Sequence, residues 1–477
     1  MDDILQRSIE ALRGSPQDAA PCGRPVVEVL AVILAALSST TRLRSTSQRC
    51  LMLKEQANEA ISTYPYSEVP DHWRRLYMDA TLLHIISRLL EADSHLLMQE
   101  DDLLELVRLL DMANIVTAYF EQGRREVLFD LLKLVQSRLG SHNDSNGDIE
   151  PTAKKQRRHG KSQARDIHEV QTLKSLLLPG IKAIKTYNVD DAPDMAELST
   201  HTEPFIVKGA VADWPAISDP RHGWADCSYL LKVAGRGRIV PVEIGSSYTA
   251  EGWTQKMLGF EEFLQKIRWE QEPPPSATRE EGQDDSKEPV LYLAQHDLFQ
   301  QFPELLADII TPDYVWSEPG PPDHYPDYKP PVSAAGYTIN AWMGPKDTYS
   351  PAHTDPYYNC YAQAVGRKHI WVAPPSCTAA MESKVDEDQD EDENDEDDER
   401  NAAAQQYMDN TAQIDVFDAS AAIADSTVPS HILRFKEQVV PLARQAILEE
   451  GDLLFMPPKW WHSLKSLERS FSVSMWF

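Results

Sequence analysis

The chain has 477 residues, of which 42% are apolar, so it is long enough for two or three domains with packed cores. Its formal net charge of −29 argues against non-specific DNA binding by the surface as a whole. The five cysteines contain no C-x-x-C pair, which argues against a zinc finger or a disulfide framework and favours a reducing compartment.

Membrane segments are not indicated by the sequence. The N-terminus lacks the pattern of a signal peptide. The longest apolar run, 26–37, contains Glu28 and is too short to cross a bilayer. We therefore expect a soluble intracellular protein with no membrane partner.

Residues 1–140 predict an all-helical domain. Apolar side chains recur at spacings of three and four in four stretches, at 26–37, 79–92, 101–120 and 125–139. Gly140 follows the last stretch as a helix C-cap. Leucines at this spacing most often form a core, and a groove for a partner is the alternative.

Residues 141–166 break the helical pattern and predict a disordered basic linker, because they are polar and rich in Ser, Asn and Gly. The linker contains a basic cluster made of Lys154, Lys155, Arg157, Arg158 and Lys161. Such a cluster is typical of a nuclear import signal, and a solvated charged linker is the alternative. We expect a nuclear location and leave a cytoplasmic one open.

Residues 167–477 predict a second domain built mainly of short strands separated by turns. The tract 386–399 holds 12 acidic residues and no basic one. We expect about 378–428 to be a disordered acidic insertion between two strands. It is either an inert solvated loop or a surface that attracts basic protein tails.

His353 and Asp355 are the starting point for a candidate metal site. Residues two apart in a strand point to the same face, so the imidazole and the carboxylate can converge. His462, 109 residues further on, supplies a third candidate ligand. Two His and one carboxylate form the facial triad of non-haem Fe(II) oxygenases, which leaves metal positions open. A His-x-Asp pair alone is a weak signal, and a surface turn is the alternative.

Three neighbouring residues suit a co-substrate beside such a metal. Lys368 lies in an apolar strand, where a charged amine is costly unless an anion meets it; a lysine snorkelling from a sheet edge is the alternative. We expect Lys368 to pair with the distal carboxylate of 2-oxoglutarate and Ser350 to donate to the same carboxylate. Asn359 fits as an amide near the metal-chelating end.

The segments that carry these residues resemble JmjC-domain oxygenases of the cupin, double-stranded β-helix type. The resemblance extends over 239–255, 290–305, 338–345, 350–359, 365–372, 451–464 and 470–477. It implies an α+β chain in which the helical N-terminal domain precedes a C-terminal jelly-roll JmjC domain over 167–477. It also implies Fe(II) and 2-oxoglutarate as cofactors. Tyr248 matches a tyrosine that helps to hold 2-oxoglutarate in the family, with a core tyrosine as the alternative.

The resemblance implies either protein hydroxylation or removal of an N-methyl group. The chain ends close to its last strand, without a zinc or reader module, which favours a protein hydroxylase. We expect arginine hydroxylation in basic protein substrates such as histone or ribosomal-type tails. A JmjC histone lysine demethylase is the first alternative, and an inactive cupin that only binds partners is the second.

Three further residues are candidates for the substrate pocket. Trp342 and Trp461 are expected to wall the mouth of the pocket, although core packing is the alternative for at least one of them. Glu243 is expected to meet a cationic substrate side chain.

Overall fold

The computed structural model describes residues 3–65, 68–95, 98–117, 121–143, 176–198, 202–245, 253–270, 289–382, 410–421 and 428–477. They form two compact units. The helical unit comprises residues 1–155 with two short segments, 234–240 and 259–261. The strand-rich unit comprises the remainder.

Among its described residues the helical unit contains seven α-helices: α1 (Asp3–Ala11), α2 (Ser15–Asp18), α3 (Arg24–Ser38), α4 (Leu43–Ile61), α5 (Asp71–His95), α6 (Glu100–Val116) and α7 (Gln122–Asn143). The central one is α5, because its apolar residues are buried on every face, as Leu76, Leu82, Leu83, Ile85 and Leu89 show. The predicted helical character of this region is therefore confirmed. The predicted boundary at 140 stays a prediction, and α7 runs three residues beyond it.

One ion pair is buried inside the helical unit. Arg238 contacts Asp111 of α6 at 2.8 Å, with 4% and 1% of their side chains exposed. The same carboxylate also accepts from the backbone N–H of Ile239 at 2.9 Å. Because both charges are out of water, each depends on the other for compensation.

The described residues of the strand-rich unit contain fourteen strands, of which β4 begins and β5 ends within the helical unit's two short segments. They are β1 (Lys182–Ala183), β2 (Lys185–Asn188), β3 (Phe205–Lys208), β4 (Ile239–Ile244), β5 (Thr254–Gly259), β6 (Leu291–His296), β7 (Thr338–Gly344), β8 (Tyr349–Thr354), β9 (Asn359–Val365), β10 (Lys368–Ala373), β11 (Arg444–Leu448), β12 (Leu453–Met456), β13 (Trp461–Ser466) and β14 (Ser470–Trp476). Its short helices are α8 (Pro215–Ser218), α9 (Cys227–Ala234), α10 (Phe260–Lys266), α11 (Leu298–Gln301), α12 (Val416–Ala421) and α13 (Ser430–Gln438).

The strands form two sheets. The minor sheet has the order β1-β11-β10-β13-β8, and the major sheet has the order β2-β3-β12-β9-β14-β7-β6-β4-β5. Side chains of both sheets meet in one buried cluster, in which Ile370 and Leu448 of the minor sheet join Tyr361 and Leu454 of the major sheet. The two sheets therefore face each other across a shared core, as in a jelly roll. With the helical unit, this confirms the predicted α+β class.

Part of the predicted acidic insertion belongs to this packed structure. Residues 410–421 are described, and Ile414, Val416 and Phe417 are buried against Trp371 and Phe435. These residues are packed rather than disordered as predicted, because they carry apolar side chains that the acidic tract lacks. The stretch 383–409, with the acidic tract, lies outside the described residues.

Several other predicted features also lie outside the described residues: the linker from 144 onward with its basic cluster, and Tyr248. Within the described part of the chain, no helix is long and apolar enough to cross a membrane. The predicted domain limits are otherwise untested.

We predict that Asp111→Ala lowers the free energy of unfolding of the helical unit by about 3–5 kcal/mol, because it leaves the Arg238 charge buried and uncompensated. The measurement is urea unfolding followed by far-UV circular dichroism. The matched control is Asp102→Ala on the same helix, which breaks a half-exposed pair with Arg88 at 2.9 Å and should cost less than about 1 kcal/mol. Equal losses in the two variants would contradict the prediction.

Candidate metal centre

The structure brings His353, Asp355 and His462 together. Their candidate ligand atoms all lie within 4.8 Å of one another. Nε2 of His462 lies 3.4 Å from Oδ2 of Asp355, and Nε2 of His353 lies 3.9 Å from Oδ1. The cause is strand pairing, since β8 and β13 run antiparallel with His353 directly opposite His462.

Backbone carbonyls orient both imidazoles. Nδ1 of His353 lies 2.8 Å from the carbonyl oxygen of Pro351, and Nδ1 of His462 lies 3.0 Å from that of Trp460. A ring whose Nδ1–H donates to a carbonyl presents Nε2 with its lone pair free. Both Nε2 atoms therefore face the carboxylate as potential metal ligands.

The charges of the three residues are strongly coupled. Burial and the nearby His462 lower the pKa of His353 to about 4. Burial alone would raise the pKa of Asp355, but the hydrogen bond and charge of His462 hold it below its usual value. Burial opposes protonation of His462, yet the bond and charge of Asp355 raise its pKa. The carboxylate and the His353 imidazole are thus in the forms that bind a cation at neutral pH, whereas the raised pKa of His462 makes a proton compete with a cation there.

Lys368 is the second polar feature of the site. Only 1% of it is exposed, and its Nζ donates to the hydroxyls of Tyr361 at 2.8 Å and Tyr292 at 3.0 Å. No carboxylate of the described residues lies within ion-pair distance of it. Burial therefore lowers the pKa of Lys368 to about 7. An anion beside this amine would restore the charge that burial disfavours.

Ser350 lies beside Tyr292 and faces the cavity because of a β-bulge in β8. Its hydroxyl hydrogen-bonds Tyr292. The pairing of β8 with β13 shifts register between His353 and Ser350, so that the two residues line one cavity although three positions separate them. Ser350 thus lines the cavity with the metal cluster and bonds the same tyrosine, Tyr292, to which Lys368 donates.

A cavity between the two sheets joins the metal cluster to this group. Its lining consists of Trp342, Ser350, His353, Asp355, Asn359, Tyr361, His462, Leu464 and Ser474. Asn359 is 3% exposed, and its Oδ1 has no hydrogen-bond partner. A buried amide left unsatisfied is costly, and a ligand in the cavity would remove that cost. The two imidazoles and the carboxylate fit Fe(II), whereas the orphaned Oδ1 is an acceptor that only a ligand bringing a donor would satisfy.

The sequence reasoning missed Tyr292 and Tyr361. Each tyrosine lies in an apolar strand and is indistinguishable by pattern from a core aromatic residue. The signal that could have found Tyr361 is strand alternation, because it is two residues beyond Asn359 and so faces the same side of β9.

The three predicted substrate-pocket residues have different positions. Trp342 lines the cavity and donates from Nε1 to the Ser474 hydroxyl at 2.9 Å. Trp461 does not line it, because it neighbours His462 on β13 and therefore faces the opposite side. It packs in the core beyond the minor sheet and donates to Thr378 at 3.0 Å, which corrects its predicted placement at the pocket mouth.

Glu243 lies on β4, outside the lining of the cavity but within electrostatic reach of Tyr292. Burial raises the pKa of its carboxyl, against a 3.4 Å hydrogen bond from the Trp253 indole. Among the described residues, no basic side chain pairs with it.

The chain is similar to known proteins over the same region. A family model described as "Cupin-like domain" matches residues 192–477. Jumonji C domain-containing protein 5 of Drosophila melanogaster is 33% identical over 319 residues, 64% of this chain. Those residues also span 64% of the fly protein, just under two thirds of its length.

Two further relatives extend the comparison. Lysine-specific demethylase 8 of Danio rerio is 28% identical over 434 residues, which cover 91% of this chain and 87% of that protein. The more distant bifunctional peptidase and (3S)-lysyl hydroxylase JMJD7 of Homo sapiens is 20% identical over 282 residues, covering 57% and 77%. JmjC proteins are Fe(II)- and 2-oxoglutarate-dependent dioxygenases, so the predicted enzyme class and cofactors are confirmed at the level of the family. The match over more than half of its length shows that the chain belongs to the cupin-like JmjC family.

Proposed function

We propose that this protein is an Fe(II)- and 2-oxoglutarate-dependent hydroxylase of arginine side chains in basic protein substrates. The observation that carries the proposal is the convergence of His353, Asp355 and His462 in one cavity lining. The same lining includes Tyr361, whose hydroxyl accepts from a buried lysine, Lys368, that has no anionic partner among the described residues. Three ligands on one face leave coordination positions for a co-substrate.

The residues divide into two groups by what they would hold. Nε2 of His353, Nε2 of His462 and the carboxylate of Asp355 would bind Fe(II), and the carbonyls bonded to the Nδ1 atoms fix the angle of each ring. When bound, Fe(II) and 2-oxoglutarate supply the activation of O2, with oxidation of 2-oxoglutarate to succinate and CO2 and transfer of one oxygen atom to the substrate.

The second group would hold the far carboxylate of 2-oxoglutarate. Protonated Lys368 would form a charge-assisted bond to it, while the hydroxyls of Ser350, Tyr292 and Tyr361 lie around the same point. Asn359 lines the same cavity as the metal cluster, where its amide N–H could donate to the chelating end. The enclosing sheets exclude water from the reacting atoms.

Arginine as the target follows from charge and shape. Glu243 is a half-buried carboxylate without a basic partner among the described residues, and it lies within electrostatic reach of Tyr292 in the second group. A guanidinium would offset the cost of burying it. The planar indole of Trp342 at the cavity would stack on the same group.

A JmjC lysine demethylase is the second candidate, because a relative covering 91% of this chain carries the name lysine-specific demethylase 8. The chemistry at the metal is shared, since hydroxylation of an N-methyl carbon gives an unstable hemiaminal that loses formaldehyde. An inactive cupin that binds partners is disfavoured by the intact ligand set. We also propose nuclear import through the basic cluster at 154–161 and a basic protein as partner, supported by the acidity of the chain.

The product separates these functions. We predict that purified protein with Fe(II), 2-oxoglutarate and a library of Arg- and Lys-rich peptides adds 16 Da at arginine, as mass spectrometry can measure, because one oxygen atom enters a C–H bond. Loss of a methyl group from a methyl-lysine peptide instead would establish the demethylase. The control is Asp355→Ala, and release of no succinate by the unmutated protein would leave the binding function.

We predict that His353→Ala weakens Mn(II) binding at least about 100-fold, because a tridentate site loses one ligand and the orientation of the others. Equilibrium dialysis of the metal measures the affinity. The control is His431→Ala, which removes an exposed histidine of α13 and should bind Mn(II) like the unmutated protein. Undiminished binding by His353→Ala would remove this residue from the metal site.

The lowered pKa of Lys368 predicts a pH dependence for 2-oxoglutarate binding. Above pH 7 the free amine is mostly neutral and must take up a proton to hold a carboxylate, so affinity should fall roughly tenfold per pH unit above about pH 8. Below pH 7 the amine is already charged and this dependence disappears. Calorimetry with Mn(II) present, in buffers of different ionisation enthalpy, measures the affinity and the proton taken up.

The matched variant is Lys368→Arg. Its guanidinium stays protonated throughout this range, so its affinity should change little between pH 7 and pH 9 whatever its absolute value. Parallel slopes in the two proteins would show that Lys368 does not bind the anion.

A further inference from the structure

The strand that carries His353 and ends just before Asp355 has a covered edge. β8 is the last strand of the minor sheet and pairs with β13 on one side. On its other side, residues 410–412 form an isolated antiparallel bridge in which Thr411 lies opposite His353. The N–H of Ala412 donates to the carbonyl of Ala352 at 2.8 Å, so the edge is closed on both sides of His353.

Asn410 holds both backbone groups of Thr354, the residue between His353 and Asp355. Its carbonyl accepts from the Thr354 N–H at 2.9 Å, and its side-chain Nδ2 donates to the Thr354 carbonyl at 2.8 Å. The orientation of the amide is fixed from the other end, where Oδ1 accepts from the Thr411 hydroxyl at 3.4 Å. Asn410 therefore closes a two-point clamp on the backbone that joins the two ligands.

A second contact fixes the next peptide group. The backbone N–H of Lys459 donates to the carbonyl of Asp355 at 2.7 Å. The chain leaves β8 at this point and has no further strand partner in the described residues. The backbone at Asp355 is therefore held from outside the sheet, by Asn410 one residue before it and by Lys459 at it, while its carboxylate bonds His462.

Residues 410–414, which include Asn410, are themselves anchored to the rest of the fold. Ala412 and Ile414 are buried in the core beyond the minor sheet, and Gln413 N–H donates to the Glu382 carbonyl at 3.0 Å. Arg434 of α13 pairs with the Glu382 carboxylate at 2.8 Å on the surface. The contacts of Gln413 and Arg434 with Glu382 tie residues 410–414 to a part of the fold outside β8.

We propose that Asn410 is a positioning residue for the metal centre: through Thr354 it sets the separation of the His353 and Asp355 ligand atoms. This inference rests on the proposed function, since it concerns the ligands of the same metal. Asn410 touches neither the cavity lining nor a ligand side chain, and it acts through the backbone alone. Residues that orient ligands typically contribute 10–100-fold in metal affinity.

The test compares Asn410→Asp and Asn410→Ala with Arg434→Ala. The aspartate has the shape of asparagine but cannot donate to the Thr354 carbonyl when ionised, whereas Arg434→Ala loosens the same anchor without touching β8. Three quantities are measured: Mn(II) affinity by equilibrium dialysis, hydrogen exchange of a peptide covering 352–356 in the metal-free protein, and the thermal midpoint.

We expect both Asn410 variants to bind Mn(II) about tenfold or more weakly and to exchange the Thr354 amide faster, with a thermal midpoint close to that of Arg434→Ala. Unchanged Mn(II) affinity in both variants overturns the proposal, even if exchange is faster, because Asn410 would then be structural alone. Unchanged exchange overturns it as well. Failure of the unmutated protein to bind Mn(II) would instead overturn the proposed function, and the exchange data would still show whether Asn410 holds Thr354.

Discussion

The antiparallel pairing of β8 with β13 is the constraint on which this protein's chemistry depends. It places His353 opposite His462 across two hydrogen-bonded strands, although 109 residues separate them in sequence. Strand pairing holds the Cβ atoms of facing residues about 4.5–5.5 Å apart, a constraint that a loop does not impose. The extra residue on β8 then brings Ser350 to the same face. A change in register by one residue would turn these side chains away from the cavity.

The site buries two kinds of polar group, and the burial of each kind lowers the free energy of unfolding. The metal cluster holds a carboxylate between two imidazoles, and Lys368 sits among hydroxyls that cannot neutralise it. Buried polar groups left without compensation are costly, and proteins retain them where a ligand completes the site. A cation bound by the cluster and a carboxylate beside Lys368 would compensate both kinds of buried group. The protein alone supplies one side of these interactions, and the bound ligands would supply the other.

The sequence predicted the residues whose type is unusual for their surroundings and failed where type and pattern are ordinary. A histidine two before an aspartate, and a lysine within an apolar strand, both conflict with burial and so indicated chemistry. Tyr292 and Tyr361 are ordinary residues for buried strands, so their roles were not predicted. Trp461 was misplaced although the alternation of side chains along β13 puts it opposite to His462. Asn410 adjoins a highly polar stretch, and only the folded pairing with β8 shows its contacts.

The most direct test of the account is the absorption spectrum of the anaerobic protein with Fe(II), before and after addition of 2-oxoglutarate. Chelation of the metal by the keto acid gives a metal-to-ligand charge-transfer band that neither component gives alone. We expect the band in the unmutated protein and its loss in His462→Ala, with its strength restored in Lys368→Ala only at much higher 2-oxoglutarate concentration. Absence of the band in the unmutated protein, or a band of full strength in His462→Ala, would contradict the metal centre described above.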